Sequence, residues 1–396
     1  MARIGIFGGS FNPPHLGHIL AAKEFYDQLD LDELLLIPAG DPPHKKLSSN
    51  SPTGAQRLEM TRLAAQDLEN ARVLDVEISR DGLSYTADTI ETLRETYPHD
   101  EFFLLMGTDM FSSFGKWYQP ERIVREATLA VARRDAEPEQ KILDCARELE
   151  ETLGAKIAYV RNDYLPHSST SVRAMIAFGC ADSYLAHQVL SYIQSEGLYY
   201  AGKNLKQLPY EELAEVSTAL HKAKRVPHVQ GCSETALELA RFYGADLEDA
   251  HRAGILHDIT KALNGEEQLK LCDSYDMILS GFERAHPKLL HAKTGAEVAQ
   301  RIFGENEAVC EAIRWHTTGR AEMSLLEQII YLADYMEPNR TIDGVEGLRA
   351  QTWQDLDAAM VTGLEMSVSH VTGHGGEMDH HSLEALRFYR ERKQKQ

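Results

Sequence analysis

Arg3-Ile4-Gly5-Ile6-Phe7-Gly8-Gly9-Ser10-Phe11-Asn12-Pro13-Pro14-His15-Leu16-Gly17-His18 decides how the first half of this chain folds. An apolar, strand-like run meets two glycines, then a proline pair, then two histidines three residues apart. Glycine lets a backbone turn sharply and approach a ligand closely. Proline is favoured in the first turn of a helix. The stretch therefore predicts strand, tight turn and a helix starting near Pro14. On that first turn His15 and His18 share one face. Backbone N–H groups at a helix start, joined by two imidazoles, suit an anionic phosphate chain.

Outward from this motif, short apolar runs read as buried strands: Arg3–Phe7, Glu33–Pro38, Arg72–Ile78, Phe102–Met106, Thr128–Ala132 and Lys156–Val160. Helical spacing lies between them, as in Ala55–Leu68 and Tyr85–Glu95. Strands alternating with helices predict an α/β domain, a Rossmann-like doubly wound parallel sheet that binds ligands at the carboxyl ends of its strands. From Tyr210 onward strand-like runs vanish. Helical segments follow one another: Tyr210–Arg225, Ser233–Tyr243, Leu247–His257, Lys293–Ile302, Asn306–Trp315, Leu325–Tyr335, Trp353–His370 and Ser382–Lys395. The expected organisation is an α/β domain over residues 1–200, a linker over 201–208 and an all-α domain over 209–396.

Composition narrows the function. The chain has 396 residues, with 41 Lys+Arg against 61 Asp+Glu and a net charge of −20. That balance argues against nucleic-acid binding on a broad basic surface and against docking on anionic lipid. No apolar stretch is long enough to span a membrane, and Met1–Phe7 lacks the basic start and apolar core of a secretory signal. Five cysteines form no C-x-x-C pair. The expectation is a cytoplasmic protein with reduced thiols, its oligomeric state left open.

His15-Leu16-Gly17-His18 resembles the H-x-G-H signature of the nucleotidyltransferase superfamily, and His167-Ser168-Ser169-Thr170-Ser171-Val172-Arg173 resembles its second signature. Pro42-Pro43-His44-Lys45, Ser84-Tyr85-Thr86-Ala87-Asp88-Thr89, Met106-Gly107-Thr108-Asp109, Lys116-Trp117-Tyr118 and Ala132-Arg133 are similar to segments of the nicotinate mononucleotide adenylyltransferases. The resemblance implies transfer of adenylate from ATP, with Mg2+, to nicotinate mononucleotide. It places His15, His18 and Arg173 in catalysis. Gly8, Gly9, Ser10, Phe11, Gly107, Asp109, Arg133, Ser169 and Thr170 would join them around ATP, with Ser169 or Thr170 capping the second helix. His44, Lys45, Thr86, Trp117 and Tyr118 would hold the mononucleotide, Trp117 by stacking on its ring. Asn12 departs from the family's usual Asp, and Arg134 from its usual Pro.

In the second half, His228, His257, Asp258, His291, His316 and Asp334 are residue types of a metal site. Mixed imidazole and carboxylate ligands suit Fe, Mn, Zn or Co. Their order, with Gly254-Ile255-Leu256-His257-Asp258, His316-Thr317-Thr318-Gly319-Arg320 and Ala333-Asp334-Tyr335-Met336-Glu337-Pro338-Asn339-Arg340, resembles the HD phosphohydrolases. It is most similar to the branch that splits diadenosine tetraphosphate symmetrically into two ADP. The resemblance implies one or two transition-metal ions, iron expected, with Asp258 and Lys261 in catalysis. Arg314, Arg320 and Arg340 are candidate polyphosphate contacts. His286, His374, His380 and His381 lie outside the pattern. The other reading makes this half a nucleotide-sensing module, or a hydrolase of a different nucleotide.

Overall fold

A computed structural model describes residues 1–41, 51–133, 139–162 and 167–395, the side chains of Arg133 and Glu139 excepted. The chain divides into two compact units, Met1–Gly202 and Lys203–Gln396.

The apolar runs of the first unit form one parallel sheet: β1 (Arg3–Gly9), β2 (Glu33–Pro38), β3 (Ala71–Val73), β4 (Glu101–Gly107), β5 (Ala127–Arg133) and β6 (Ile157–Arg161), in the order β3-β2-β1-β4-β5-β6. Every neighbouring pair is parallel. Leu34–Ile37 and Phe102–Met106 are buried without a break, because helices cover both faces of such a sheet. Alternate residues sort onto the two faces. Ile4, Ile6, Leu35, Ile37, Leu104 and Met106 pack with Phe111 and Phe114, while Leu34, Leu36, Phe103 and Leu105 pack with Phe11 and Phe25. Strand order reverses between β1 and β4, so a crevice opens at their carboxyl ends.

Three sequence expectations shift here. β3 ends at Val73 instead of reaching Ile78; it is an edge strand that pairs only with Leu34–Leu36, and Asp75 to Ser79 close a turn. The turn after β1 does not fall on the glycines, which stay in the strand opposite Ile37 and Pro38. It falls on Phe11, at φ +42°, a conformation held by its buried ring against Phe7 and His18. A Cβ on Gly8 would meet nothing within 4 Å, so this glycine leaves room beside the backbone. Finally, the helix starts at Leu16, since His15 is extended at φ −134° and ψ 169°.

The second unit is helical, with no strand among the described residues. Helices Val226–Tyr243, Leu247–Leu256, Leu290–Val298, Glu307–Trp315 and Leu325–Met336 build its centre. The expected helix Trp353–His370 is Leu356–Gly373, starting where the Asp355 side chain accepts from Ala358 N–H, and a separate helix, Val345–Thr352, precedes it without having been anticipated. The helix Gly265–Ser274 was not anticipated, although Asn264 and Glu267 form a capping box at its start. Among the described residues no helix is long and apolar enough to cross a membrane.

Candidate functional site

A cavity of about 320 Å³ opens at the carboxyl ends of β1 and β4, lined by Gly8, Gly9, Ser10, Thr86, Trp117 and Tyr118 among others. The loop that borders it has its carbonyls engaged. Gly9 O accepts from Ala39 N at 2.8 Å, Ser10 O from Arg57 at 2.9 Å, Asn12 O from Arg173 at 2.8 Å and Pro13 O from Ser169 Oγ at 3.3 Å.

The His15 and His18 rings lie 3.8 Å apart, centre to centre, and His15 N–H donates to His18 Nδ1 at 3.2 Å. His15 is 6% exposed, and its Nδ1 has no hydrogen-bond partner among the described residues. Burial, then the neighbouring His18, hold the His15 pKa well below the ordinary histidine value. It is a neutral imidazole at physiological pH.

Arg173 also donates to Thr170 Oγ1 at 3.2 Å, so the second signature is brought onto the first loop. The helix cap is Ser168, not Ser169 or Thr170: its Oγ accepts from Ser171 N–H, and Ser171 returns a bond. That frees Ser169 and Thr170 to bind the loop and Arg173. Asn12 uses both ends of its amide, accepting from Tyr199 OH at 2.6 Å and donating to Ser51 Oγ at 3.1 Å. A carboxylate there would lose the second donation. Phe11 is fully buried, so only its backbone is available to a nucleotide.

Sequence reasoning missed Arg57. Only 2% exposed, it joins Ser10 O to Gly40 O, the latter at 3.2 Å. Neither Arg57 nor Arg173 has an ion pair among the described residues, and burial lowers the pKa of each. A buried and a half-buried guanidinium, neither paired to a carboxylate among the described residues, favour an anion nearby. Glu77, also missed, lines the cavity, accepts from Thr89 Oγ1 at 2.8 Å and has its pKa raised by burial.

Opposite the loop, Thr86 opens the helix Thr86–Thr96, Trp117 packs on Phe114 at 5.2 Å, and the Tyr118 ring lies 4.3 Å from that of Tyr85. Gly107 ends β4, and exposed Asp109 sits in the following helical turn. His44, Lys45 and the Arg133 side chain lie outside the described residues.

In the second unit all six expected ligands converge. His228, His257 and Asp334 offer ligand atoms within 4.8 Å of one another, as do His257, Asp258 and His316. His291 Nε2 joins them, 3.4 Å from Asp258 Oδ1. Nδ1 of His257, His291 and His316 faces a backbone carbonyl at 2.7 Å, from Gly254, Lys288 and Ile313 respectively. With the proton on Nδ1, each ring turns an Nε2 lone pair inward.

Burial drives His257 down to about 3 and lowers His291, aided there by Lys261. For the two aspartates burial acts upward, but the histidines, with Lys261 beside Asp258 and Arg340 beside Asp334, outweigh it and hold both well below the carboxylate range. Neutral imidazoles and ionised carboxylates are the ligand states a transition metal needs. Asp258 Oδ1 is buried and accepts no hydrogen bond among the described residues, an orphan that a cation would satisfy. The donor set fits a metal.

Lys261 Nζ stands 3.7 Å from Asp258 Oδ1 and 2.7 Å from His291 Nε2. Arg340 pairs with Asp334 at 2.5 Å, and Arg225, unforeseen in the sequence, pairs with Asp258. Arg314 and Arg320 are engaged by carboxylates as well. Arg314 bonds Glu311 and Glu297, and Arg320 makes a bidentate pair with buried Glu327. His380 and His381 group with Asp379 instead of with the six.

The cytidylyltransferase-like family model matches residues 6–175 and the HD domain model matches residues 225–339. A probable nicotinate-nucleotide adenylyltransferase of Borrelia garinii subsp. bavariensis is 36% identical over 51% of this chain and 98% of its own length. One from Exiguobacterium sibiricum is 36% identical over 50% and 99%. A crystal structure described as a predicted HD superfamily hydrolase involved in NAD metabolism, from Clostridium acetobutylicum, is 35% identical and covers 47% of this chain and 98% of its own, with a TM-score of 0.45. Through its first half, this chain belongs to the nicotinate-nucleotide adenylyltransferase family, and its second half carries an HD domain.

Proposed function

We propose that the chain is a bifunctional enzyme. Residues 1–200 join ATP, with Mg2+, and nicotinate mononucleotide into deamido-NAD and pyrophosphate. Residues 209–396, after the linker 201–208, hydrolyse diadenosine tetraphosphate to two ADP. The observation that carries the first assignment is one cavity edged by the two-histidine loop, braced by Arg57 and Arg173, and walled by Trp117 and Tyr118.

In this reading a phosphate oxygen of the mononucleotide attacks the α-phosphorus of ATP, and the bond to the pyrophosphate oxygen breaks. No covalent enzyme intermediate is needed, so the protein contributes position and charge. His15, a neutral imidazole, and His18 donate hydrogen bonds to the phosphates. Arg173, Ser169 and Thr170 hold the departing pyrophosphate. Asp109 takes the adenylate ribose. Thr86 and Tyr118 N–H groups take the nicotinate carboxylate, while Trp117 covers the ring.

In the second unit His228, His257, Asp258, His291, His316 and Asp334 would hold the metal, with iron as the expected ion. When bound, it lowers the pKa of a water and polarises a phosphoryl oxygen. Arg225, Lys261 and Arg340 supply positive charge to the tetraphosphate, and Asp258 stands between the two groups of ligands. The uncapped, buried Asp258 Oδ1 carries this half of the proposal.

Purified protein with ATP and nicotinate mononucleotide is expected to release deamido-NAD, and metal-loaded protein to convert diadenosine tetraphosphate only to ADP. Turnover of nicotinamide mononucleotide, phosphopantetheine or FMN precursors in place of the nicotinate substrate overturns the first assignment. A metal-loaded chain that binds diadenosine tetraphosphate, leaves it intact and changes its adenylyl-transfer rate is a sensor instead.

A further inference from the structure

We infer that Glu337 is a positioning residue for the metal cluster: it fixes His228 as the Nδ1-protonated imidazole and makes His228, His257 and Asp334 the tightest-binding part. This rests on the reading that the cluster holds a metal.

The four imidazoles do not secure Nδ1 alike. His257, His291 and His316 each use a carbonyl three residues earlier. That partner is neutral and comes with the local backbone. His228 Nδ1 instead meets Glu337 Oε1 at 3.1 Å, from a residue 109 positions away. Glu337 is 1% exposed and has no Lys or Arg ion pair among the described residues.

Its carboxylate is held at the other end too. Oε2 accepts from Asn339 N at 2.7 Å and from Asn339 Nδ2 at 2.9 Å. Asn339 Nδ2 also donates to Pro227 O at 3.0 Å, directly before His228. Gly231 makes the approach feasible, since a Cβ there would lie 2.5 Å from Glu337 Oε2. Helix Val226–Tyr243 can therefore place His228 against this carboxylate only with glycine at 231. A carboxylate bonded to one ring nitrogen makes the other a stronger metal ligand. His228 is the one ligand so treated, and its Nε2 lies 3.1 Å from Asp334 Oδ1 and 3.2 Å from His257 Nε2.

The test is Co2+ alone, titrated into metal-stripped full-length protein and followed by visible absorbance and equilibrium dialysis. Circular dichroism gives the folded fraction. Glu337→Gln keeps an acceptor for Nδ1–H but loses the charge, and the tightest Co2+ binding is expected to weaken about 10-fold. Glu337→Ala loses both, with an expected weakening of about 100-fold. Gly231→Ala displaces the carboxylate without removing it, and falls between wild type and Glu337→Ala. A merely structural Glu337 would alter the stability of the metal-free chain and leave Co2+ affinity per folded chain unchanged. Wild-type affinity in both Glu337 variants overturns the inference alone. Failure of the wild type to bind Co2+ at all overturns the metal reading beneath it.

Discussion

On the proposed reading, the two sites would meet polyphosphate in opposite ways. The first unit keeps its charge positive and fixed: one buried and one half-buried guanidinium braced on carbonyls of a loop, with imidazoles beside them. The second packs two aspartates and four histidines into a buried cluster that needs cations to become attractive to a phosphate. A net charge of −20 is compatible with both, because neither relies on the general surface. The difference is who supplies the electrophilic charge. In the first site side chains and helix ends supply it, and in the second the protein supplies only ligands.

The comparison sharpens most under His18→Ala. Losing one preorganised donor to a developing negative charge lowers kcat of adenylyl transfer roughly 10²–10³-fold, while Co2+ binding by the second unit stays as in wild type. Rate assays and Co2+ titration on one preparation check this. Next is Trp117→Ala. Aromatic stacking on a base is worth roughly 1–3 kcal/mol, so KM for the mononucleotide rises about 5–150-fold with a smaller change for ATP. Steady-state kinetics with each substrate varied separates the two.

Arg57→Lys keeps the charge but cannot join Ser10 O to Gly40 O. One buried carbonyl then loses its partner, at a cost of about 1–3 kcal/mol. Hydrogen exchange of the β1 amides should accelerate accordingly, with the helical unit unaffected.

The smallest effect is a pH dependence. His15 has a lowered pKa in the folded chain, so below about pH 6.5 the unfolded chain binds more protons. Stability from this group is complete above that pH and falls as pH drops towards the folded-state pKa. The slope is at most about 1.4 kcal/mol per pH unit. His15→Gln should flatten the acid side of the β1 exchange profile.

How much of this was legible in the sequence depended on where each contact lies. β2 was read to its ends because a strand buried on both faces is a continuous apolar run. β3 was overextended because Leu74, whose N–H makes the last bond to Leu36 O, and Val76 pack on the core beyond the end of the strand. The six candidate metal ligands stood out because histidine and aspartate beside apolar helical runs are conspicuous. Arg57 did not, because its partners are backbone carbonyls 47 and 17 residues away, which leave no mark on side-chain pattern. Glu337 was visible within Glu337-Pro338-Asn339-Arg340, but its role needed the His228 contact across 109 residues. The ion pairs of Arg314 with Glu297 and of Arg320 with Glu327 were not read from the sequence for the same reason, since those partners lie 17 and 7 residues away.

The central claim is that one chain carries two chemically independent phosphate sites, only one of which depends on a resident transition metal. The direct measurement is to strip the full-length protein with a strong chelator, restore Mg2+ alone, and assay both reactions. The account predicts that deamido-NAD formation persists, while diadenosine tetraphosphate hydrolysis is lost and returns on adding Fe2+ or Mn2+. Loss of both reactions together, or survival of both in Mg2+ alone, would contradict it.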